Sequence, residues 1–298
     1  MAFRSGLVAL IGKPNVGKST LTNFIVGHKV SIVSNKPQTT RRRVLGITTT
    51  DDYQIAFVDT PGVHEPHTQL GRSMVDQARR GLMDVDVILV VVDGAHHPGE
   101  QDREIAKLTK AHTKEKPTPV ILCLNKMDQL KAENVVRHVE AYQALFETQE
   151  YMLTTATKGQ NVGELLTLIV NELPERAPVF DADEFTDQSS RFLSAELVRE
   201  KILQATFQEI PHSVAVTVDS WEEEGNLSRI MATILVEKTS QRAILIGKQG
   251  QFIKKIGPEA RLEIEEMLGH RVYLELHVKV SEGWRMNPRV LHELEYDQ

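Results

Sequence analysis

The sequence predicts an α/β domain with a mostly parallel sheet covered by helices on both faces, followed by a smaller α+β domain. The length of 298 residues corresponds to about two domains of ordinary size. Apolar runs alternate with helical patterns as far as residue 173, and the order of elements changes beyond residue 190. Hydrophobic residues make up 41% and charged residues 26%, which excludes collagen-like, mucin-like and wholly disordered chains.

The first domain, predicted over residues 1–175, contains six apolar runs that we interpret as strands. These runs lie at residues 7–11, 44–48, 54–58, 85–92, 119–125 and 151–155. Helical spacing separates most of them, at residues 19–26, 100–109, 134–146 and 163–172. Such alternation is typical of parallel strands. Only a turn near Asp51 separates the second run from the third, which predicts a hairpin and one antiparallel edge strand.

A linker is predicted over residues 176–190, because this stretch is acidic and has no helical period. It contains Val179, Phe180 and Phe185, so we expect part of it to pack on a domain. The second domain follows over residues 191–298 with the order α-β-β-α-α-β. Its elements are expected at 192–209, 213–221, 229–237, 241–246, 251–268 and 271–280, with an acidic loop over 222–226.

Charge and cysteine content limit the environment and the partners of the chain. The single cysteine, Cys123, lies inside an apolar run, and no stretch of about 18 apolar residues predicts a membrane span. Both features fit a reducing cytoplasm. The formal net charge of −6 argues against general nucleic-acid binding. Residues 238–262, however, contain six basic residues and one acid, so nucleic-acid contact should be confined to that strip.

A glycine-rich segment follows the first apolar run and opens a helical pattern. The sequence GKPNVGKS at 12–19 matches G-x-x-x-x-G-K-[ST], whose backbone N–H groups surround phosphates. Lys18 would contact the β- and γ-phosphates, and Ser19 would ligate Mg²⁺. The alternative is an ordinary strand-to-helix turn. The expected nucleotide-binding residues of this loop are Gly12, Lys13, Pro14, Asn15, Val16, Gly17, Lys18 and Ser19.

A second segment, with the sequence DTPG at 59–62, follows the third apolar run. Asp59 is placed to hold Mg²⁺ through water, and the Gly62 N–H is placed to reach the γ-phosphate. By itself this sequence is also a common turn. The expected nucleotide-binding residues here are Asp59, Thr60, Pro61, Gly62 and Val63.

Two further segments predict a preference for guanine. Asp128 can accept hydrogen bonds from guanine N1–H and N2–H₂, a donor pair that adenine lacks, and the Lys126 stem can pack over the base. A backbone N–H in the last segment can donate to guanine O6. These segments are Asn125, Lys126, Met127 and Asp128, then Thr155, Ala156 and Thr157. Each follows an apolar run, and open α/β sheets bind ligands at the carboxyl ends of their strands.

A polar segment at 34–43 has the composition of a switch loop that orders around the γ-phosphate. We favour Thr40 as a further Mg²⁺ ligand, with Thr39 as the alternative, and interpret the arginines at 41–43 as a surface charge run. Many GTPases place a water-orienting Gln where this chain has Val63, so slow intrinsic hydrolysis is expected. Asn15 offers an oxygen that could seat K⁺, or it could brace the loop. The candidate catalytic residues are Asn15, Lys18, Thr40, Asp59 and Gly62.

The second domain contains G-x-x-G at residues 247–250 between two helical patterns. KH domains use such a turn to clamp about four nucleotides, and the order α-β-β-α-α-β is that of a type II KH domain. The alternative is a tight helical hairpin that carries surface lysines. The expected RNA-binding residues are Ile246, Gly247, Lys248, Gln249, Gly250, Phe252, Ile253, Lys254 and Lys255.

Taken together, these motifs resemble the Era family of bacterial GTPases, which carry a C-terminal KH domain. The matching segments are 12–20, 38–43, 59–66, 125–128, 198–203, 216–224, 244–257 and 274–285. The resemblance implies GTP/GDP and Mg²⁺ as ligands and binding to the 3′ end of 16S ribosomal RNA. It also implies a role in maturation of the 30S subunit and peripheral association with the inner face of the cell membrane.

Two departures from the family pattern concern Thr155–Thr157 and Glu295, which stands where the family often has Gly. The absence of a Gln at position 63 matches the family. No heptad pattern is visible, so a monomer is the default expectation.

Three other functions remain as alternatives at this point. An RNA-modifying GTPase needs a catalytic cysteine or a further cofactor domain, and Cys123 lies in a predicted buried strand. A purely structural RNA-binding module would have a decayed nucleotide site, whereas Lys18 and Asp128 are intact. An ATPase would have no use for a carboxylate at position 128.

Overall fold

The computed structural model describes residues 2–62 and 68–296. These residues divide into two compact units. The first unit comprises residues 2–31, 40–62 and 74–187, and the second comprises 32–39, 68–73 and 188–296. Residues 176–187 of the predicted linker therefore belong to the first unit.

The first unit contains a six-stranded sheet of order β2-β3-β1-β4-β5-β6. The strands are β1 (Arg4–Ile11), β2 (Val44–Thr49), β3 (Tyr53–Asp59), β4 (Val87–Asp93), β5 (Val120–Asn125) and β6 (Tyr151–Leu153). All neighbours pair in parallel except β2 and β3, which form the predicted antiparallel hairpin. The expectation of a mostly parallel sheet with one antiparallel edge strand is confirmed.

Helices cover both faces of this sheet because the strands carry apolar side chains on both sides. The helices are α1 (Lys18–Val26), α3 (Glu100–Glu115), α4 (Val135–Phe146) and α5 (Val162–Glu172). A further helix, α2 (Gln69–Arg80), has residues 69–73 in the second unit and residues 74–80 in the first. In β1, Val8 packs in the core layer that contains Ile169 of α5, whereas Ala9 packs in the opposite layer with Ile105 of α3. Helix α2 was not predicted, since most of its twelve residues are polar.

Residues 185–187, at the end of the part of the predicted linker that belongs to the first unit, lie along the outer edge of β2. The Ile47 N–H donates to Phe185 O (2.9 Å), and the Leu45 N–H donates to an Asp187 carboxylate oxygen (3.0 Å). Edge strands otherwise present unpaired N–H and C=O groups that invite aggregation. The irregular composition of this segment predicts its lack of helix, but not these hydrogen bonds.

The second unit contains a three-stranded sheet of order β7-β8-β9. Its elements are α6 (Ser190–Ala205), α7 (Ile210–Ser213), β7 (Ala215–Glu224), β8 (Leu227–Val236), α8 (Thr239–Ile246), α9 (Gln251–Leu268), β9 (Arg271–Val280) and α10 (Pro288–Glu293). Strands β7 and β8 are antiparallel, and β8 and β9 are parallel. The predicted α-β-β-α-α-β order is confirmed. The short helices α7 and α10 were not predicted.

The predicted acidic loop over 222–226 is wrong in extent. Glu222 and Glu224 are strand residues that pair with Arg229 and Leu227, so only two residues separate β7 from β8. Arg229 forms an ion pair with Glu224 (3.1 Å), which offsets the repulsion within the acidic run. Because a two-residue turn is enough to close the hairpin, the strands extend further into the acidic run than its composition suggests.

Residues 32–39 pack within the second unit. Ile32 belongs to its hydrophobic core, and the Val33 N–H donates to a Glu200 carboxylate oxygen (2.7 Å). The buried Arg199 guanidinium donates to Thr39 O. Both anchoring side chains come from α6. The segment immediately before Thr40 is therefore held by the second unit. Just after Thr40, Arg41 is 1% exposed, so the predicted surface charge run at 41–43 is wrong for that residue.

Candidate guanine-nucleotide site and RNA groove

The phosphate loop connects β1 to α1 and encloses the Lys18 ammonium group. Lys18 Nζ donates to Gly12 O (2.9 Å) and Lys13 O (3.2 Å), and the side chain is buried. Burial lowers the pKa of Lys18 to about 8, although the charge of Asp59 opposes this shift. A cation held in the loop by neutral carbonyl groups would be strongly stabilised by a phosphate.

A close contact joins the phosphate loop to the predicted base-recognition segment. Asn125 Nδ2 donates to Val16 O (2.8 Å). Gly17 has φ +101°, and a Cβ at this position would lie 2.3 Å from Asn125 Nδ2. Only glycine combines this backbone conformation with this approach. The two segments are thus held in a fixed relation, as a nucleotide that spans both requires.

Three oxygen-bearing side chains meet at the start of α1. Ser19 Oγ donates to Asp59 Oδ2 (2.7 Å) and lies 3.0 Å from Thr40 Oγ1. Asp59 is fully buried, and its Oδ1 has no hydrogen-bond partner among the described residues. The structure brings Thr40 to this point, whereas the Thr39 hydroxyl donates to Lys36 O (2.7 Å).

This oxygen set fits Mg²⁺. Magnesium prefers oxygen ligands and is usually bound through one or two carboxylates together with substrate phosphates. Burial raises the pKa of Asp59, and the charge of Lys18 opposes this shift. A divalent cation beside the carboxylate would favour its charged form. Its orphaned Oδ1 is available for a metal or for metal-bound water.

The segment after β3 closes against the phosphate loop. Thr60 Oγ1 donates to Leu10 O (2.8 Å), and a Cβ on Gly62 would lie 2.8 Å from Pro14 N. The Gly62 backbone is therefore close to the loop, as a contact to the γ-phosphate requires. Val63, the last residue predicted for this segment, lies outside the described residues.

The base-recognition segments meet at the carboxyl ends of β5 and β6. Asn125 Oδ1 accepts from the Ala156 N–H (2.9 Å), so Thr157 carries the next backbone N–H of that segment. Lys126 has φ +65° and is followed by a 3-10 turn at Met127–Gln129. Asp128 lies 3.1 Å from Lys158 Nζ and remains partly exposed, so its carboxylate is accessible to a base.

Sequence reasoning missed three charged residues at this site: Asp93, Asp102 and Lys158. Asp93 Oδ2 lies 2.9 Å from Lys126 Nζ, and Asp102 Oδ2 lies 2.9 Å from Lys13 Nζ. Asp93 ends β4 just as Asp59 and Asn125 end their strands, and that position is a signal that the sequence offers. No local pattern predicts the contact of Asp102 with the phosphate loop.

In the second unit, the G-x-x-G segment forms a tight turn between α8 and α9. Gly247, Gln249 and Gly250 have φ values of +73°, +54° and +76°. Lys248 and Lys254 are exposed and form no ion pair within residues 2–62 and 68–296, and the same holds for Lys255. The lysines are therefore available to phosphates.

Apolar residues beside this turn pack against the core of the second unit. Phe252 and Ile253 are half-buried against the core, and Ile246 is half-buried at the end of α8. Trp284 is fully buried and donates to Ser213 O (2.9 Å), so it is a core residue. The predicted RNA-binding residues thus comprise the three remaining residues of the G-x-x-G turn, exposed lysines and half-buried apolar groups, as a nucleic-acid groove requires.

Among the described residues, no group of three or more His, Cys, Asp or Glu side chains is arranged to hold a metal ion. No described helix is both long and apolar enough to cross a membrane.

Known protein families match both domains of the chain. A family model described as a 50S ribosome-binding GTPase matches residues 7–126, and a KH-domain model matches residues 209–285. Fold and site together define a P-loop guanine-nucleotide-binding protein with a KH domain. The chain is 46% identical to GTPase Era of Leuconostoc citreum over 298 residues, 99% of this chain and 97% of that protein. It is 44% identical to GTPase Era of Heliobacterium modesticaldum over 297 residues, 99% and 98% of the two chains.

Two solved structures have the same fold as this chain. Both have a TM-score of 0.94 and 41% identity, and they cover 99% of this chain and 100% of their own. One is Era in complex with MgGDPNP and nucleotides 1506–1542 of 16S ribosomal RNA. The other is an Aquifex aeolicus Era variant bound to GDP·AlF₄⁻. The chain belongs to the Era family of GTPases.

Proposed function

We propose that this chain is a GTP-hydrolysing switch that binds the 3′ end of 16S ribosomal RNA and assists maturation of the 30S subunit. The observation that carries the proposal is that one chain brings together a phosphate loop, the Ser19–Asp59–Thr40 oxygen cluster and the base-recognition segments, and also has a G-x-x-G turn with exposed lysines. The Era structure that contains MgGDPNP and 16S RNA matches this chain over 99% of its length, which supports the same pair of ligands.

The nucleotide part of the proposal assigns a role to each contact. Lys18 neutralises the β- and γ-phosphates. Ser19, Thr40 and Asp59 would hold Mg²⁺, which would supply positive charge beside the transferring phosphoryl group. Asp128 selects guanine. With Val63 in the position of the usual Gln, no side chain there orients the attacking water, so intrinsic hydrolysis is slow.

The polar segment at 34–43 provides a route for switching. Its Thr39 carbonyl is held by Arg199 in the second unit, while the next residue, Thr40, contacts Ser19 in the first. When a γ-phosphate and Mg²⁺ draw Thr40 into the nucleotide site, they also act on the peptide bond between Thr39 and Thr40. Its carbonyl group accepts a hydrogen bond from Arg199 of α6. Helix α6 shares the core of the second unit with α9, which begins at the G-x-x-G turn. Nucleotide state can therefore bias the RNA groove through this segment.

A monovalent cation would add positive charge to that of Lys18 and Mg²⁺ at the phosphates. Asn15 lies in the phosphate loop with φ +64°, and its side-chain oxygen is a ligand suited to K⁺. We expect steady-state GTP hydrolysis to be about tenfold or more faster in KCl than in NaCl at equal ionic strength. The Asn15→Ala variant should lose this difference. If Asn15 only braces the loop, the variant will slow hydrolysis equally in both salts.

RNA recognition is tested by titrating the full chain into a fluorescently labelled RNA that matches the 16S 3′ end. We expect anisotropy to report binding at least about tenfold tighter than to a scrambled RNA of equal length, since base edges and not only phosphates are read. The competitor must be compared at fixed salt because phosphate contacts make affinity salt-dependent. Equal affinity for the two RNAs would contradict the proposed target.

Association with the assembling 30S subunit follows from the RNA proposal, and a monomer is the proposed state. Peripheral membrane association rests on the family resemblance alone. The alternative of an RNA-modifying enzyme loses support because Cys123 is fully buried and burial raises the pKa of its thiol to about 12. A thiol in that environment is not a nucleophile at neutral pH.

A further inference from the structure

We infer that Asp93 and Asp102 are positioning residues of the nucleotide site, each acting through one lysine of a nucleotide-binding segment. The inference rests on the proposed nucleotide function. The two aspartates flank the connection between β4 and α3, which none of the predicted motifs includes. This connection would thus be a further element of the site.

Asp102 ties the phosphate loop to α3. Its Oδ2 accepts from Lys13 Nζ and from the Gly99 N–H, both at 2.9 Å, and the side chain is only 1% exposed. The Lys13 carbonyl in turn accepts from Lys18 Nζ (3.2 Å). Through Lys13, the Asp102 carboxylate therefore restrains the turn whose carbonyl group accepts from the Lys18 ammonium group. The N-terminal turn of a helix stabilises a carboxylate in this position.

Asp93 does the same for the base-recognition segment. Its Oδ2 accepts from Lys126 Nζ (2.9 Å), and its Oδ1 accepts from the Ala95 N–H (3.2 Å). Burial alone would raise the pKa of Asp93, but Lys126 and His96 outweigh it and hold the pKa below its usual range. The carboxylate is thus charged at neutral pH and restrains the Lys126 side chain that is expected to pack over the base.

The connection itself is held rigidly enough for this role. The Gly94 N–H donates to Asn125 O (2.8 Å), and His138 Nδ1 lies 2.8 Å from Gly94 O. A Cβ on Gly94 would lie 2.6 Å from Met127 Sδ. In some proteins an ion pair contributes more to one fixed geometry than to net stability, and here the side chains of Lys13 and Lys126 stay 20% and 27% exposed. We therefore expect loss of either aspartate to weaken nucleotide binding more than it weakens the fold.

The test is a pair of double-mutant cycles on the full chain, with affinity for a fluorescent GDP analogue as the readout. One cycle combines Asp102→Asn with Lys13→Met, and the other combines Asp93→Asn with Lys126→Met. Glu104→Gln is the matched control, because Glu104 forms an exposed pair with Lys107 (3.1 Å) on the same helix as Asp102. Thermal unfolding without nucleotide separates a loss of affinity from a loss of stability.

We expect each aspartate variant to weaken GDP binding roughly tenfold, with the lysine substitution adding less than about twofold in the double variant. Asp102→Glu should recover part of the affinity, and Glu104→Gln should leave it unchanged. Affinity within about twofold of the parent chain, or losses that multiply in the double variants, would overturn the inference. Should Asp102→Asn fail to fold, the Asp93 cycle decides alone. Failure of the parent chain to bind GDP would instead refute the proposed function.

Discussion

Asp128→Asn is expected to lower affinity for GTP by about 100-fold or more and to make xanthosine triphosphate the preferred nucleotide. A carboxylate accepts from both N1–H and N2–H₂ of guanine, and charge-assisted hydrogen bonds are about twice as strong as neutral ones. An asparagine at this position turns an NH₂ group toward one of these donors. Xanthine has a carbonyl at C2 that accepts from that NH₂, so the mismatch is removed.

Competition of GTP, xanthosine triphosphate and ATP against a fluorescent nucleotide measures this exchange. Asp84→Asn is the control, because Asp84 is an exposed carboxylate whose ion-pair partner among the described residues, Lys116, is distant at 3.8 Å. The parent chain should bind GTP and reject ATP. Unchanged GTP affinity in Asp128→Asn, or equal binding of ATP by the parent chain, would show that position 128 does not read the base.

Gly250→Asp is expected to lower affinity for the 16S 3′-end RNA by about 30-fold or more, since it places a negative charge where a phosphate should approach. The substitution is not excluded by space: the nearest atom to a Cβ at Gly250 is Lys254 Cε, at 3.6 Å. Gly250 has φ +76°, a conformation that Asp adopts more readily than most residues. The loss should therefore come mainly from charge in the groove.

Gly269 provides a control with the same backbone conformation. It ends α9 with φ +73°, and a Cβ there would meet nothing within 4 Å. Gly269→Asp thus introduces the same charge and the same backbone cost away from the G-x-x-G turn. Anisotropy titrations at fixed salt should show near-parental RNA affinity for this variant. Equal losses in the two variants would indicate that overall charge or stability, and not the groove, determines RNA binding.

The nucleotide site could be predicted to the extent that each of its segments is local in sequence. The phosphate loop and the residues at strand ends are short motifs, and alternating apolar runs place them at one edge of a parallel sheet. The contact of Lys13 with Asp102 joins residues 89 apart in sequence, and no local pattern encodes it. Such pairs are determined by how α3 packs, which is a property of the whole core.

The same distinction explains the other differences. Residues 176–187 have the composition of a linker, yet their hydrogen bonds to β2 depend on an edge strand more than 100 residues earlier. Residues 32–39 look like part of one polar loop, but Ile32 and the Glu200 carboxylate assign them to the core of the second unit. In both cases tertiary contacts, and not propensity, determine where an irregular segment lies.

We propose that the nucleotide bound by Lys18 and its neighbours controls the RNA groove of the same chain. The most direct measurement is the affinity of the full chain for labelled 16S 3′-end RNA, by anisotropy at one salt concentration, with GDP or with a non-hydrolysable GTP analogue. We expect tighter binding with the GTP analogue and Mg²⁺, and loss of binding in Gly250→Asp with either nucleotide. Equal affinity in the two nucleotide states would contradict the switch, even if both sites bind their ligands.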